Sequence, residues 1–147
     1  MKPGLDHLLL AIAGTVGGRI IPEMPEASYA LGDAKMVAGL AVLLAQEADR
    51  AADVLVRENA AIRALFGEAA DMPTPLTDRL TEAAQSADAN LRLNTLEAGN
   101  AALKTLLIEL HILAEDSAED WAAPLNADIW TILNHGANDR ILVLPSI

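Results

Sequence analysis

Two glutamates, Glu47 and Glu58, stand in the middle of a stripe of apolar residues: Met36, Leu40, Leu43, Leu44, Ala51, Val54, Leu55, Ile62 and Leu65 recur at helical spacing around them. An unpaired carboxylate on such a stripe costs several kcal/mol or takes up a proton, so something polar is expected to face each one. Arg92 and Asn100 are the candidates. Arg92 shares a helical face with Leu96, Leu103, Leu106 and Leu110, and Asn100 lies at its margin. If the two segments run antiparallel about a turn at Asp71 to Pro75, counting outward brings Arg92 level with Glu58, and Asn100 near the level of Glu47. Two roles suit such a set. One is a buried ion pair and hydrogen bond that fix helix register. The other is a ligand-binding or catalytic site made of Glu47, Glu58, Arg92 and Asn100.

A carboxylate-bridged metal centre does not fit the spacing. Helix bundles build such centres from inward glutamates and a Glu-x-x-His pair, which this chain lacks. Glu109 and His111 are two apart and diverge on a helix, while Glu47 and Glu58 are separated by about 16 Å along the axis. His7, His111 and His135 do not cluster in sequence, and no Ser-His-Asp set can be assembled from them. Gly14, Gly17 and Gly18 lack the strand before and the Gly-Lys-Ser/Thr after that a phosphate loop requires. No cofactor, metal or catalytic residue is therefore expected.

The elements that must position these residues read as helices. Pro3 and Gly4 precede a first helix over Leu5 to Ile21, closed by Pro22-Glu-Met-Pro25. A second begins between Ser28 and Asp33 and runs to Phe66, before Gly67. Two prolines make Asp71 to Pro75 the clearest turn. A third helix covers Leu76 to Ala114, loosened near Ser86 to Asp88, and a last one carries Pro124 in its first turn and ends near Gly136. The tail Ile141-Leu-Val-Leu-Pro145 reads as extended. The fold predicted is all-α: an up-down-up-down antiparallel four-helix bundle, one domain over residues 1–147, with a short extended C-terminal tail. The apolar tail is expected to cover the bundle or to pair with a second copy.

Composition narrows the function classes. A net charge of -11 and scattered Lys and Arg oppose nucleic-acid binding. The absence of cysteine removes disulfides, thiolate metal sites and cysteine nucleophiles. The run Leu8 to Gly18 is about half the length a membrane-spanning helix needs. Asp6 and His7 interrupt the basic region of a secretion signal, and Leu5, Leu8, Leu9, Ile12, Val16 and Ile20 have the spacing of a packing helix. A cytoplasmic chain that neither enters a membrane nor is exported is expected.

The order Leu8-Leu9, Ile21-Pro22, Tyr29, Met36-Val-Ala38, Leu40 and Gln46-Glu47 resembles a family of small bacterial helical proteins of unknown function. That family is encoded beside aminoglycoside-phosphotransferase-like and acyl-CoA-dehydrogenase-like enzymes. The resemblance covers the first third of the chain, with Gln46-Glu47 where the family has Arg-Glu. It implies an accessory protein acting with a neighbouring enzyme, and Glu47 as the position carried over. Together these readings predict an accessory or protein-interaction bundle that self-associates as a dimer. The alternative is a binding protein for an apolar or acyl small molecule held in the core. A carboxylate-based metal protein or enzyme comes third.

Overall fold

The computed structural model describes residues 2–144 and is all-helical, with no strand among them. Five α-helices follow one another: α1 (Leu5–Thr15), α2 (Ala30–Ala69), α3 (Thr77–Gln85), α4 (Leu93–Asp116) and α5 (Ala122–Asp139). Contacts gather them into two compact units: residues 1–51 with 141–147, and residues 52–140. Of the tail, Ile141 to Leu144 carries no regular helix or strand, and Pro145 lies outside the described residues.

The fifth helix arises because the stretch expected as one helix is two. Ser86 leaves α3 with extended ψ of 161°, and residues 86–92 are non-helical. Side chains hold this break open. Arg63 donates from Nε to the Ser86 hydroxyl (3.0 Å) and from Nη2 to Asp88 (2.7 Å), while Asn90 accepts the Arg92 N–H (2.9 Å) just before α4. Such side-chain bonds offer the backbone an alternative to the helix ladder.

Two expected helix ends are also overrun. Gly67 lies inside α2, which continues to Ala69, and Gly136 lies inside α5, which continues to Asp139. Neither glycine has the positive φ of a helix-terminating cap.

Residues 52–140 enclose a core of Ile62, Leu65, Phe66, Leu80, Leu103, Leu106, Leu107, Leu110, Leu125 and Ile129, and α4 packs on α5. Leu and Ile dominate it and Phe66 is its single phenylalanine, as expected of an aromatic-poor chain.

The other unit is built differently. Its first helical stretch runs as α1, a π-helical turn (Val16–Ile20) spanning Gly17 and Gly18, and a 3-10 turn (Ile21–Glu23) with Pro22 at its start. Most of the stripe expected to pack is exposed: Leu5, Leu8, Ile12 and Ile20 each keep close to half or more of their surface in solvent, Leu9 and Val16 are half-buried, and Ala13 is the buried residue of α1. The segment Leu5–Glu23 is long and apolar enough to cross a membrane by length and composition, with mean hydropathy 1.2. The first half of α2 behaves alike. Met36, Leu40 and Leu44 are exposed, whereas Val54, Ile62 and Leu65 further along the same stripe are buried.

Candidate functional site

Glu58 is 7 % exposed, and it sits among donors. Arg140 reaches it with two guanidinium nitrogens, Nη1 to Oε1 at 3.0 Å and Nη2 to Oε2. Lys104 Nζ lies 3.0 Å from Oε1, and Asn100 Nδ2 donates to Oε2 at 2.6 Å. Four donors fill the acceptor capacity of one carboxylate. Burial pushes the Glu58 carboxyl upward, but the bonds from Arg140, Lys104 and Asn100 outweigh it and hold the group below the usual glutamate range. It is thus a carboxylate whose charge is spent on its neighbours.

The network continues across the helices. Asn100 Nδ2 also donates to Asn59 Oδ1 (2.9 Å), and Asn59 Nδ2 donates to Asp88 Oδ1 (3.0 Å), the oxygen that Arg63 also holds. Asn59 is fully buried. The Arg63 bond, aided by Asn59, keeps the Asp88 carboxyl below its ordinary value against the opposing effect of burial. One ladder of polar side chains therefore ties α2, the 86–92 break, α4 and the end of α5, and satisfies each buried member.

Gly136 explains how Glu58 fits. A Cβ built there would collide with Glu58 Oε1 and lie 3.1 Å from Arg140 Nη1, so only glycine leaves the carboxylate its place against α5. Beside it a recess of about 350 Å³ is bordered by Arg57, Ile132, His135 and Asp139. Arg57 is itself paired with Asp53 (3.0 Å) and Asp139 (3.1 Å).

The predicted site residues separate. Asn100 and Glu58 meet, but the pairing is not the one counted from the turn, which set Arg92 against Glu58 and Asn100 near Glu47. Residues 86–92 leave the helix, so the register slips, and Asn100, eight positions after Arg92, bonds Glu58. Arg92 is exposed at the start of α4 and is not among the donors found on Glu58. Glu47 is exposed, with Arg50 Nε 3.9 Å from its Oε2. Glu47 was expected among core residues, but Met36, Leu40 and Leu44 on the same stripe are exposed too, so no core surrounds it.

The cations that meet Glu58 were missed. Lys104 lay within reach, one turn beyond Asn100 on the same helix face. Arg140 carried no signal, being 82 positions from Glu58 in a segment with no pattern pointing inward.

No family model, curated protein or solved structure matches the chain.

Other polar pairs lie outside this ladder, while the buried Trp121 Nε1 meets no hydrogen-bond acceptor among the described residues. Glu109 forms a two-pronged pair with Arg79. The His111 ring nitrogen bonds Asn126 Oδ1 at 2.8 Å, with the ring edge-on to Trp130. No group of three or more His, Cys, Asp or Glu placed to hold a metal occurs among the described residues. Between α4 and α5 a mostly apolar recess of about 190 Å³ is lined by Leu107, Ile108, Ile129 and Leu133, with Lys104 and His111 beside them. That is below the roughly 300 to 1,000 Å³ of pockets for drug-sized ligands.

Proposed function

We propose that the chain is an accessory, protein-interaction helical domain that self-associates as a dimer through the unit containing α1, the first half of α2 and the tail. The observation that carries this is apolar surface. Fourteen large apolar side chains of that unit, from Leu5 to Leu144, are exposed, and their exposures add to about eight whole residues. At roughly 120 Å² of apolar surface each, the value implied by 3 kcal/mol per buried side chain, that is about 1,000 Å². A standard interface needs about 800 Å² from each partner, so a dimer of that size would use most of this surface.

Charge supports a second copy as the occupant. Residues 1–51 hold four Lys and Arg against six Asp and Glu, and residues 141–147 hold no charged side chain. Residues 52–140 hold six against fifteen. The surface that would meet a copy is nearly neutral, and the repelling charge lies on the other unit. The accessory role beside a neighbouring enzyme, implied by the family resemblance, is compatible with a dimer whose acidic units stay available. The spent charge of Glu58 supports a register role for the buried ladder over chemistry there.

Sedimentation velocity of the full chain from about 1 to 100 μM is expected to give the mass of two copies. Leu40→Glu with Leu44→Glu should shift it to one copy while helicity is retained. A single copy throughout overturns the proposal. So does co-flotation of the wild-type chain with phosphatidylcholine vesicles, which would assign Leu5–Glu23 to a membrane.

A further inference from the structure

The tail is held in an unusual way. Gln46 on α2 uses both ends of its carboxamide on one residue: Nε2 donates to the Val143 carbonyl at 2.8 Å, and Oε1 accepts the Val143 N–H at 3.0 Å. One turn along the helix, Arg50 Nη2 donates to the Ile141 carbonyl at 2.7 Å. All three bonds go to backbone. The apolar side chains contribute little: Ile141, Val143 and Leu144 are more than half exposed, and Leu142 is the most covered of the four.

The spacing explains why this pair can read an extended strand. Residues 46 and 50 share a helix face and are about 6 Å apart along the axis. Two residues of extended chain advance about 6.7 Å, and carbonyls two apart point the same way. A Gln and an Arg four apart on a helix therefore offer donors in step with alternate carbonyls of a strand, and the Gln adds an acceptor for the N–H between them.

We propose that Gln46 and Arg50 are a docking clamp for an extended apolar peptide, and that residues 141–144 occupy it as an intramolecular latch. The clamp selects its ligand by free backbone groups at positions i and i+2 of an extended chain, and Leu142, the most covered of the four, marks the side-chain position that can add to this. It is indifferent to the side chains that point to solvent. A partner's extended apolar segment binds there by displacing the tail. The bonds are few and partly solvated, so exchange is readily reversible.

The test uses the full chain and a fluorescein-labelled peptide with the sequence of residues 139–147, followed by anisotropy. Val143→Pro removes the N–H that Gln46 accepts and so opens the latch. This variant should bind the peptide about tenfold more tightly than wild type, because a tethered competitor at roughly millimolar effective concentration has been released. Val143→Ala keeps the N–H and should bind as wild type does. Adding Gln46→Ala to Val143→Pro should return binding to the wild-type level or below, with far-UV circular dichroism showing the helices retained. Equal binding by wild type and Val143→Pro, or tight binding that survives Gln46→Ala, overturns the proposal. Carrying Leu40→Glu and Leu44→Glu in every variant removes self-association from the readout, so its failure is distinct from failure of the dimer.

Discussion

Gly136→Ala should destabilise the unit of residues 52–140, against the ordinary rule. In a helix interior alanine is favoured over glycine by about 0.8 to 1.0 kcal/mol. Gly99 of α4 should obey that rule, because an added Cβ would meet Asp88 and Asn59 at 3.8 and 3.9 Å, which is ordinary contact. At Gly136 the added carbon takes the place of the Glu58 carboxylate. Moving that carboxylate weakens a buried, charge-assisted bond from Asn100, worth roughly 1.5 to 3 kcal/mol. It also disturbs the Arg140 pair, worth about 1 kcal/mol at most because the Arg140 side chain is 40 % exposed. After the propensity gain the expected net loss is about 1 to 3 kcal/mol. In a Glu58→Ala background the space is free, and Gly136→Ala should instead stabilise by up to about 1 kcal/mol. The coupling in the double-mutant cycle is thus about 2 to 4 kcal/mol. Urea unfolding followed by tryptophan fluorescence isolates the unit, since both tryptophans, Trp121 and Trp130, belong to it. Additivity within about 0.5 kcal/mol, or a stabilising Gly136→Ala in the wild-type background, would refute the reasoning.

Two more outcomes follow from the same ladder. Glu58 and Asp88 have folded-state pKa values lowered from 4.5 and 3.8, so the stability they contribute is present above those unfolded values and lost as pH falls through the lower folded ones. The urea midpoint should hold between pH 7 and 6 and decline below about 4.5, less steeply in Glu58→Gln; a decline that begins between pH 7 and 6 would contradict the pairing. Arg63→Met leaves Asp88, whose side chain is 15 % exposed, with Asn59 as its remaining partner among the described contacts. It should cost about 3 kcal/mol and speed amide exchange across residues 86–92; a cost under about 1 kcal/mol would mean the break is held by other means.

The helical class was legible because periodicity and proline positions are local. Pro22, Pro25, Pro73 and Pro75 mark the breaks that were expected, and Leu96, Leu103, Leu106 and Leu110 are buried as their spacing implies. The break after Gln85 was seen as a loosening and no more, because the force that opens it comes from Arg63, 23 to 25 positions away. Glu58 was legible as a polar residue in the middle of an apolar stripe, and Asn100 as one at the margin of another. Their mutual bond was not, since the register depends on residues that leave the helix. The exposure of Leu5, Leu8, Ile12, Met36 and Leu40 was illegible for a plainer reason: a sequence pattern marks a surface that wants cover without saying which molecule supplies it.

The ladder through Glu58, Asn100 and Asn59 also bears on how α4 finds its place while the chain folds. Leucine-rich faces tolerate several offsets with similar burial, so apolar contact alone leaves competing alignments close in energy. Sliding α4 by one turn would bring Leu96 or Lys104 to the position of Asn100. Leu96 would offer neither the Glu58 carboxylate nor the buried Asn59 Oδ1 a donor, and Lys104 in that place would bury an ammonium that now keeps about a third of its side chain exposed. The polar set therefore acts as proofreading. A misaligned encounter is left with unmet hydrogen bonds and comes apart, while the one alignment that meets them all persists.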